Sequence, residues 1–223
     1  MKMRIWAMSL LAVCLLSFSA CAAAPQRAGR SPEETIRAYV QAAAERDRDA
    51  MASCFTMEEA VAGYDPETLE AILRTPVAQP LTAEQRQEDI LSEIERFAIG
   101  FLDQKPLDTG ASREELLETI QNLDWEALSI VHLDAWDGEA YDLTKDILED
   151  RKAVYGAQDA AEYTALLEMD GRTYFFSAQL LQYGEEWKLW STGDTISKTV
   201  QEEPSFDVVI PMEEGEYFAL TKR

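Results

Sequence analysis

Residues 162–190 read EYTALLEMDGRTYFFSAQLLQYGEEWKLW, and two turns inside that stretch decide the architecture. Asp170-Gly171 has the residue types of a two-residue type I′ hairpin loop, and Gly184-Glu185 has the Gly-X form of type II′. Such loops fix register, and once register is fixed the side-chain period of two assigns each residue to a face. Across the first turn Leu167 faces Tyr174, Ala165 faces Phe176 and Tyr163 faces Ala178; across the second, Leu180 faces Leu189 and Gln182 faces Trp187. One face therefore gathers Tyr163, Ala165, Leu167, Tyr174, Phe176, Ala178, Leu180, Trp187 and Leu189, with no charge among them. The other shows Thr164, Glu168, Thr173, Ser177, Gln179 and Lys188, with Phe175 and Trp190 among them. The uncharged face needs a cover.

Helices upstream can supply it. Ser31-Pro32-Glu33-Glu34 combines an N-cap serine, proline at the first helical position and glutamate three residues after the cap. Ile36, Tyr39, Val40 and Ala43 then recur at helical spacing on one face. A short helix over 48–55 follows, with Met51, Cys54 and Phe55 on a common face, and another from Asp65-Pro66 to about Thr75. Thr82 and Gln85 form a capping box before Ile90, Ile94, Phe97, Ala98 and Phe101, and Ser112 with Glu115 repeats the signal before Leu116, Ile120 and Leu123. Leu128 to Trp136 reads as a strand and Asp142 to Tyr155 as a helix. After a polar connection over 197–204, Phe206–Ile210 and Glu216–Leu220 are expected to form a last hairpin around Glu213-Glu214-Gly215.

The first thirty residues have a different purpose. Lys2 and Arg4 precede an uncharged run from Ile5 to Ala24, which is the build of an export signal. Phe18-Ser19-Ala20-Cys21 resembles the lipobox of bacterial lipoproteins, which implies a signal peptide over 1–20, lipid attachment at Cys21, a flexible tether over 21–30 and a single domain over 31–223. Ser17/Ser19 or Ala20/Ala22 would also serve an ordinary secretory cut, and a run of about 20 apolar residues can span a bilayer. With Cys14 in the leader and Cys21 acylated, Cys54 has no partner for a disulfide, so the domain must hold together by its core.

Composition narrows the partners. The formal net charge is −22 at pH 7, from 42 acidic and 20 basic residues, which makes nucleic acid an unsuitable partner and keeps the domain off anionic lipid except at its tether. A hydrophobic fraction of 47% argues for a packed domain over a disordered chain.

The helical pair SPEETIRAYVQAAAERDRDAMASCF and the meander quoted above together resemble the nuclear-transport-factor-2-like superfamily, which includes SnoaL-like and ketosteroid-isomerase-like domains. That resemblance implies an α+β fold: N-terminal helices on a curved antiparallel sheet, shaped as a cone, here with a helical insertion over about 58–122. It also brings an acid/base enzyme of isomerase or cyclase type into consideration. Such chemistry needs an ionisable base inside the pocket. The uncharged face supplies none, leaving His132, Asp134 or a helix to provide it.

One histidine and one surviving free thiol cannot build a His-rich or thiolate metal site, and no nucleophile elbow, phosphate loop or calcium loop is present, so no catalytic residue, metal or cofactor is assigned. Tyr39, Tyr163, Tyr174, Phe176 and Trp187 are the candidates to line a ligand pocket. If Ile36, Tyr39 and Val40 pack directly on the sheet, that face is solid core; if space remains, the hydroxyls of Tyr39, Tyr163 and Tyr174 would orient a small apolar ligand. The absence of charge predicts a mostly filled face with at most a small mouth. The resulting expectation is a non-catalytic binding or assembly lipoprotein on the extracytoplasmic face of the cell membrane, with a small apolar ligand or a protein as partner.

Overall fold

The computed structural model describes residues 29–77, 80–102, 112–136, 141–193 and 208–221. The leader, Cys21 and most of the tether lie outside the described residues. Five strands form one antiparallel sheet: β1 (Ser129–Ala135), β2 (Asp159–Met169), β3 (Arg172–Tyr183), β4 (Glu186–Thr192) and β5 (Val209–Pro211). The first four lie side by side in chain order, and β5 also pairs with β3. All five cross-strand pairs expected from the turns are present. Asp170 and Gly171 both have positive φ, 53° and 72°, as a type I′ loop demands.

Helix α1 (Pro32–Ala44) begins with the expected capping box: Glu34 N donates to Ser31 Oγ and Ser31 N donates to the Glu34 carboxylate. It is followed by α2 (Arg48–Ser53), α3 (Glu58–Gly63), α4 (Pro66–Leu73), α5 (Ala83–Ile99) and α6 (Arg113–Gln121), then a 3-10 turn over Trp125–Ala127. Between β1 and β2 runs α7 (Tyr141–Tyr155), and α8 (Glu214–Thr221) ends the described chain. Ile36, Tyr39, Val40 and Ala43 of α1 lie in one buried cluster with Ala165, Leu167, Phe176, Leu180 and Leu189 of the sheet. Ile90, Ile94 and Phe97 of α5 join the same cluster, so the 58–122 stretch contributes directly to the core.

Tyr39 is the centre of that cluster. Its ring stacks at 6.2 Å on Phe176 and meets Phe97 and Phe55 edge-on at 5.1 and 5.7 Å. Residues 54–56 cover the outer edge of β4, with Thr56 N donating to Leu189 O and Leu189 N to Cys54 O, which removes the exposed hydrogen-bonding groups of an edge strand.

The opposite sheet face, polar apart from Phe175 and Trp190 in the sequence pattern, is also covered. Leu166 and Phe175 pack with Trp136, Met212 and Tyr217, while Thr164, Ser177 and Gln179 are buried as polar residues. The expected terminal hairpin does not form. Val209–Pro211 pairs with β3, and the stretch after it is α8. Two local features decide this. Pro211 lacks an N–H with which to extend a ladder, and Glu216 reaches back to accept from Glu213 N at 3.0 Å, the geometry of a helix start. Strand β5 can approach closely because Gly193 (φ 68°) offers no side chain: a Cβ there would lie 2.5 Å from Val208 Cα.

The Tyr39 hydroxyl is fully buried and has no hydrogen-bond partner among the described residues. An unsatisfied buried hydroxyl costs stability, so Tyr39→Phe should raise the free energy of unfolding by about 1 kcal/mol, whereas Tyr39→Ala should lower it by about 3–5 kcal/mol. Urea denaturation of the three proteins measures both; a destabilised Tyr39→Phe would show that the hydroxyl has a partner.

Candidate functional site

The five aromatic candidates lie in and around one core. Tyr39 and Phe176 are stacked at its centre, and Tyr174 meets Phe101 at 4.9 Å. Tyr163 and Trp187 are half-buried and pack against its margin. Tyr163 Oη donates to Glu33 Oε1 of α1 at 2.9 Å, which closes the rim on that side. None of the five lines the clefts described below.

The acid/base candidates sit elsewhere. His132 and Asp134 are on β1, where an irregularity between Ile130 and His132 shifts the pairing with β2. His132 Nε2 is 2.6 Å from Glu214 Oε1, and its ring is flanked by Tyr217 and Phe218 of α8. Tyr217 Oη donates to Asp134 Oδ2 at 2.9 Å. Burial, reinforced by that carboxylate, holds the Tyr217 hydroxyl far above its ordinary range. These groups fasten α8 to the sheet. Cys54 is buried, and burial pushes its thiol up despite the nearby Arg30 guanidinium, the state of an inert packing residue. Among the described residues no group of three or more His, Cys, Asp or Glu is placed to hold a metal ion.

A cleft of about 250 Å³ opens between the C-terminal end of α1, α2, α5, α6 and Trp125. Its wall is mainly apolar, with Met51, Ile94, Ala98, Ile120 and Trp125 contributing the surface. Arg46 creates the geometry. It follows α1 in the left-handed conformation (φ 58°), and its guanidinium donates to Gln121 O at 3.1 Å and Leu123 O at 3.0 Å, carbonyls at the C-terminal end of α6. Trp125 Nε1 donates to Ile120 O at 2.9 Å, so its ring stands as a fixed wall. Arg48 and Glu95 are the other charged residues in the lining, and no histidine or cysteine lines it. This cleft was not read from the sequence. Its components were visible as separate helix faces, but their convergence depends on the Arg46 bridge between residues 75 or more positions apart.

No family model matches the chain, and no curated protein matches it. In fold it is similar to the crystal structure of a cystatin-like protein from Ruminococcus gnavus, with a TM-score of 0.50 over 81% of this chain and 44% of that one, at 14% sequence identity. The chain thus spans less than half the length of that protein, and likeness at this identity concerns the fold alone. It corrects the resemblance drawn from the sequence: the neighbour points to a cystatin-like fold and not to the nuclear-transport-factor-2-like, SnoaL-like or ketosteroid-isomerase-like class. The misleading pattern was a capped helix followed by an antiparallel meander, which any sheet with one apolar face and a covering helix requires.

The Tyr163–Glu33 contact has a pH signature. Partial burial raises the Glu33 carboxyl, but hydrogen bonds from its own backbone, Tyr163 and Ser31, with Arg37 nearby, outweigh this and leave it below the usual range. Burial and Glu33 push Tyr163 up to about 12, so it remains a protonated donor at neutral pH. A lowered carboxyl contributes stability above its unfolded value of 4.5, and that contribution is lost as pH falls through the folded value. Tyr163→Phe should therefore cost about 0.5–1 kcal/mol at neutral pH, with the difference from wild type shrinking below about pH 4.5. Thermal unfolding across that range checks the sign.

Proposed function

We propose that this chain is an exported lipoprotein, anchored at Cys21 on the extracytoplasmic face of the cell membrane, whose domain is a non-catalytic module that binds a small apolar ligand in the cleft beside Trp125. The cleft carries the binding part of this reading: concave, largely apolar, walled by a fixed indole and bordered by few polar groups, it has the character of a small-molecule site. A volume of about 250 Å³ suits a ring-sized body. The anchoring part rests on the leader and on Phe18-Ser19-Ala20-Cys21.

The two parts fit together geometrically. Arg30 O accepts from Trp187 N, which docks the start of the folded chain against β4 just before α1. The cleft lies at the other end of α1, about 18 Å along a helix rising 1.5 Å per residue. On this reading the tether leaves from one end of the domain and the cleft opens at the other, toward solutes and away from the bilayer. The acid/base alternative finds no support in the cleft, whose lining includes one carboxylate, Glu95, and no histidine.

Binding is tested with the apolar fluorophore N-phenyl-1-naphthylamine. Wild type should bind saturably with a dissociation constant on the order of micromolar and a blue-shifted emission, and Ala98→Trp, which fills the cleft, should abolish this. Unchanged binding by Ala98→Trp would overturn the assignment. Anchoring is read separately in a bacterial host fed an alkyne-bearing fatty acid: label should enter wild type and be absent from Cys21→Ala. Label retained in that variant would sink the anchor.

A further inference from the structure

The charged residues in the lining of the apolar cleft are Arg46, Arg48 and Glu95, two bases to one acid in a chain that carries 42 acidic and 20 basic residues. Arg46 is committed to structure: its guanidinium holds the carbonyls of Gln121 and Leu123, and neutral carbonyls leave its charge unpaired. Glu95 has an interaction of its own. Arg48 is different. It is the first residue of α2, it is exposed, and its guanidinium has no hydrogen bond or ion pair among the described residues. Met51, three positions on, also lines the cleft, so the two share one side of α2 and the guanidinium stands at the rim beside an apolar wall. Across from them α6 presents Leu117 and Ile120, and Leu117 is 39% exposed.

Arginines at the other side of α5 are not available in this way. A second cleft, also of about 250 Å³, lies there, with Arg86, Asp89, Glu93, Arg96, Arg151 and Trp190 in its lining. Arg86 donates to Thr56 O and Trp190 O, Arg96 to Glu93, and Arg151 to Gln179 Oε1 and Ser191 Oγ, so the guanidiniums of that charged cleft serve the fold. In the apolar cleft, by contrast, an open apolar wall and an unengaged guanidinium occur together.

We propose that the ligand of the apolar cleft is an amphiphilic carboxylate, with its apolar body against Ile94, Leu117, Ile120 and Trp125 and its carboxylate on the Arg48 guanidinium. The inference rests on the reading of this cleft as a binding site and adds the charge of what it binds. A guanidinium offers two parallel N–H donors to a planar carboxylate, a charge-assisted contact that a hydroxyl or amide head does not match. One unengaged guanidinium suits a singly charged head. The protein as a whole is acidic and repels anions, so a preference for an anionic head over a neutral one has to come from a local cation.

Probes with a common naphthyl body separate the head from the body: 1-naphthaleneacetate, the neutral 1-naphthaleneacetamide and the cation 1-naphthylmethylammonium. Each is titrated at neutral pH and constant ionic strength against N-phenyl-1-naphthylamine bound to the protein. The acetate should displace the dye at about tenfold lower concentration than the amide, and the ammonium should be the weakest. Arg48→Gln, checked for folding by thermal unfolding, should bring the acetate to the level of the amide while leaving dye and amide binding as in wild type. The inference is overturned if the amide or the ammonium equals the acetate, or if folded Arg48→Gln keeps the preference; dye binding that is lost in Ala98→Trp would then still stand for the cleft. Wild type that does not bind the dye overturns the cleft as a binding site and this inference with it, so the two failures are told apart.

Discussion

A one-residue slip between β2 and β3 would leave Ala165 and Leu167 sharing a face with Thr173, Phe175 and Ser177 in place of Tyr174 and Phe176, so that no single face would be free of polar groups. Every other packing relation depends on that slip not happening. The Asp170-Gly171 loop prevents it, because two successive positive-φ residues close the hairpin at one position and carry the pairing from Met169↔Arg172 to Asp159↔Gln182. With parity fixed, one face is uncharged and must be covered. The amphipathic α1 and α5 meet that demand, converging on Tyr39 and Phe176.

The second face solves a harder problem. It carries Glu162, Thr164, Ser177 and Gln179 at or near full burial, and polar groups taken out of water need partners. Arg151 of α7 reaches Gln179, and Gln179 Nε2 reaches Glu162 Oε2, while Tyr217 of α8 reaches Asp134 and Thr164. Arg86 plays the same part between α5 and the strand edge, joining Thr56 and Trp190 through one guanidinium. Buried ions of this kind add less net stability than well-packed apolar groups of the same volume, but losing one partner leaves the other stranded. They specify which helix lies where. For a domain whose described residues hold a single, buried free thiol, such links take the place of covalent ones in fixing position.

What could be read from the sequence was what local chemistry decides. Ser31, Thr82 and Ser112 announce their helices because a capping box needs only four residues, and the hairpin registers follow from two turns. The coarse α+β reading follows from those. Errors arose wherever the deciding contact was distant. Glu216–Leu220 is one acid followed by four apolar residues, a run too short for its period to separate strand from helix, and the docking of Tyr217 onto Thr164 and Asp134 favours the helix. The cover of the more polar face was not legible because α7 and α8 could not be placed over it from periodicity alone. Neither cleft was legible: Arg46 and Arg86 look like surface bases in the sequence, and each acts on carbonyls far along the chain.

Helix α5 now carries three separate burdens. One stripe, Ile90, Ile94 and Phe97, belongs to the core; Ala98 and Glu95 border the apolar cleft; Arg86, Glu93 and Arg96 border the charged one. Sharing Ile94 between core and cleft means that truncating it would weaken packing and empty the cleft wall together, so its effect on a ligand could not be separated from its effect on folding. Ala98 and Arg96 are better placed to separate them. Ala98 is small, half-buried and off the central stripe, and the Arg96 side chain is 37% exposed and engages Glu93 through Nη2. The division of one helix among core, apolar cleft and charged cleft is thus also what allows a side chain at either cleft to be changed without removing a ring from the stack around Tyr39.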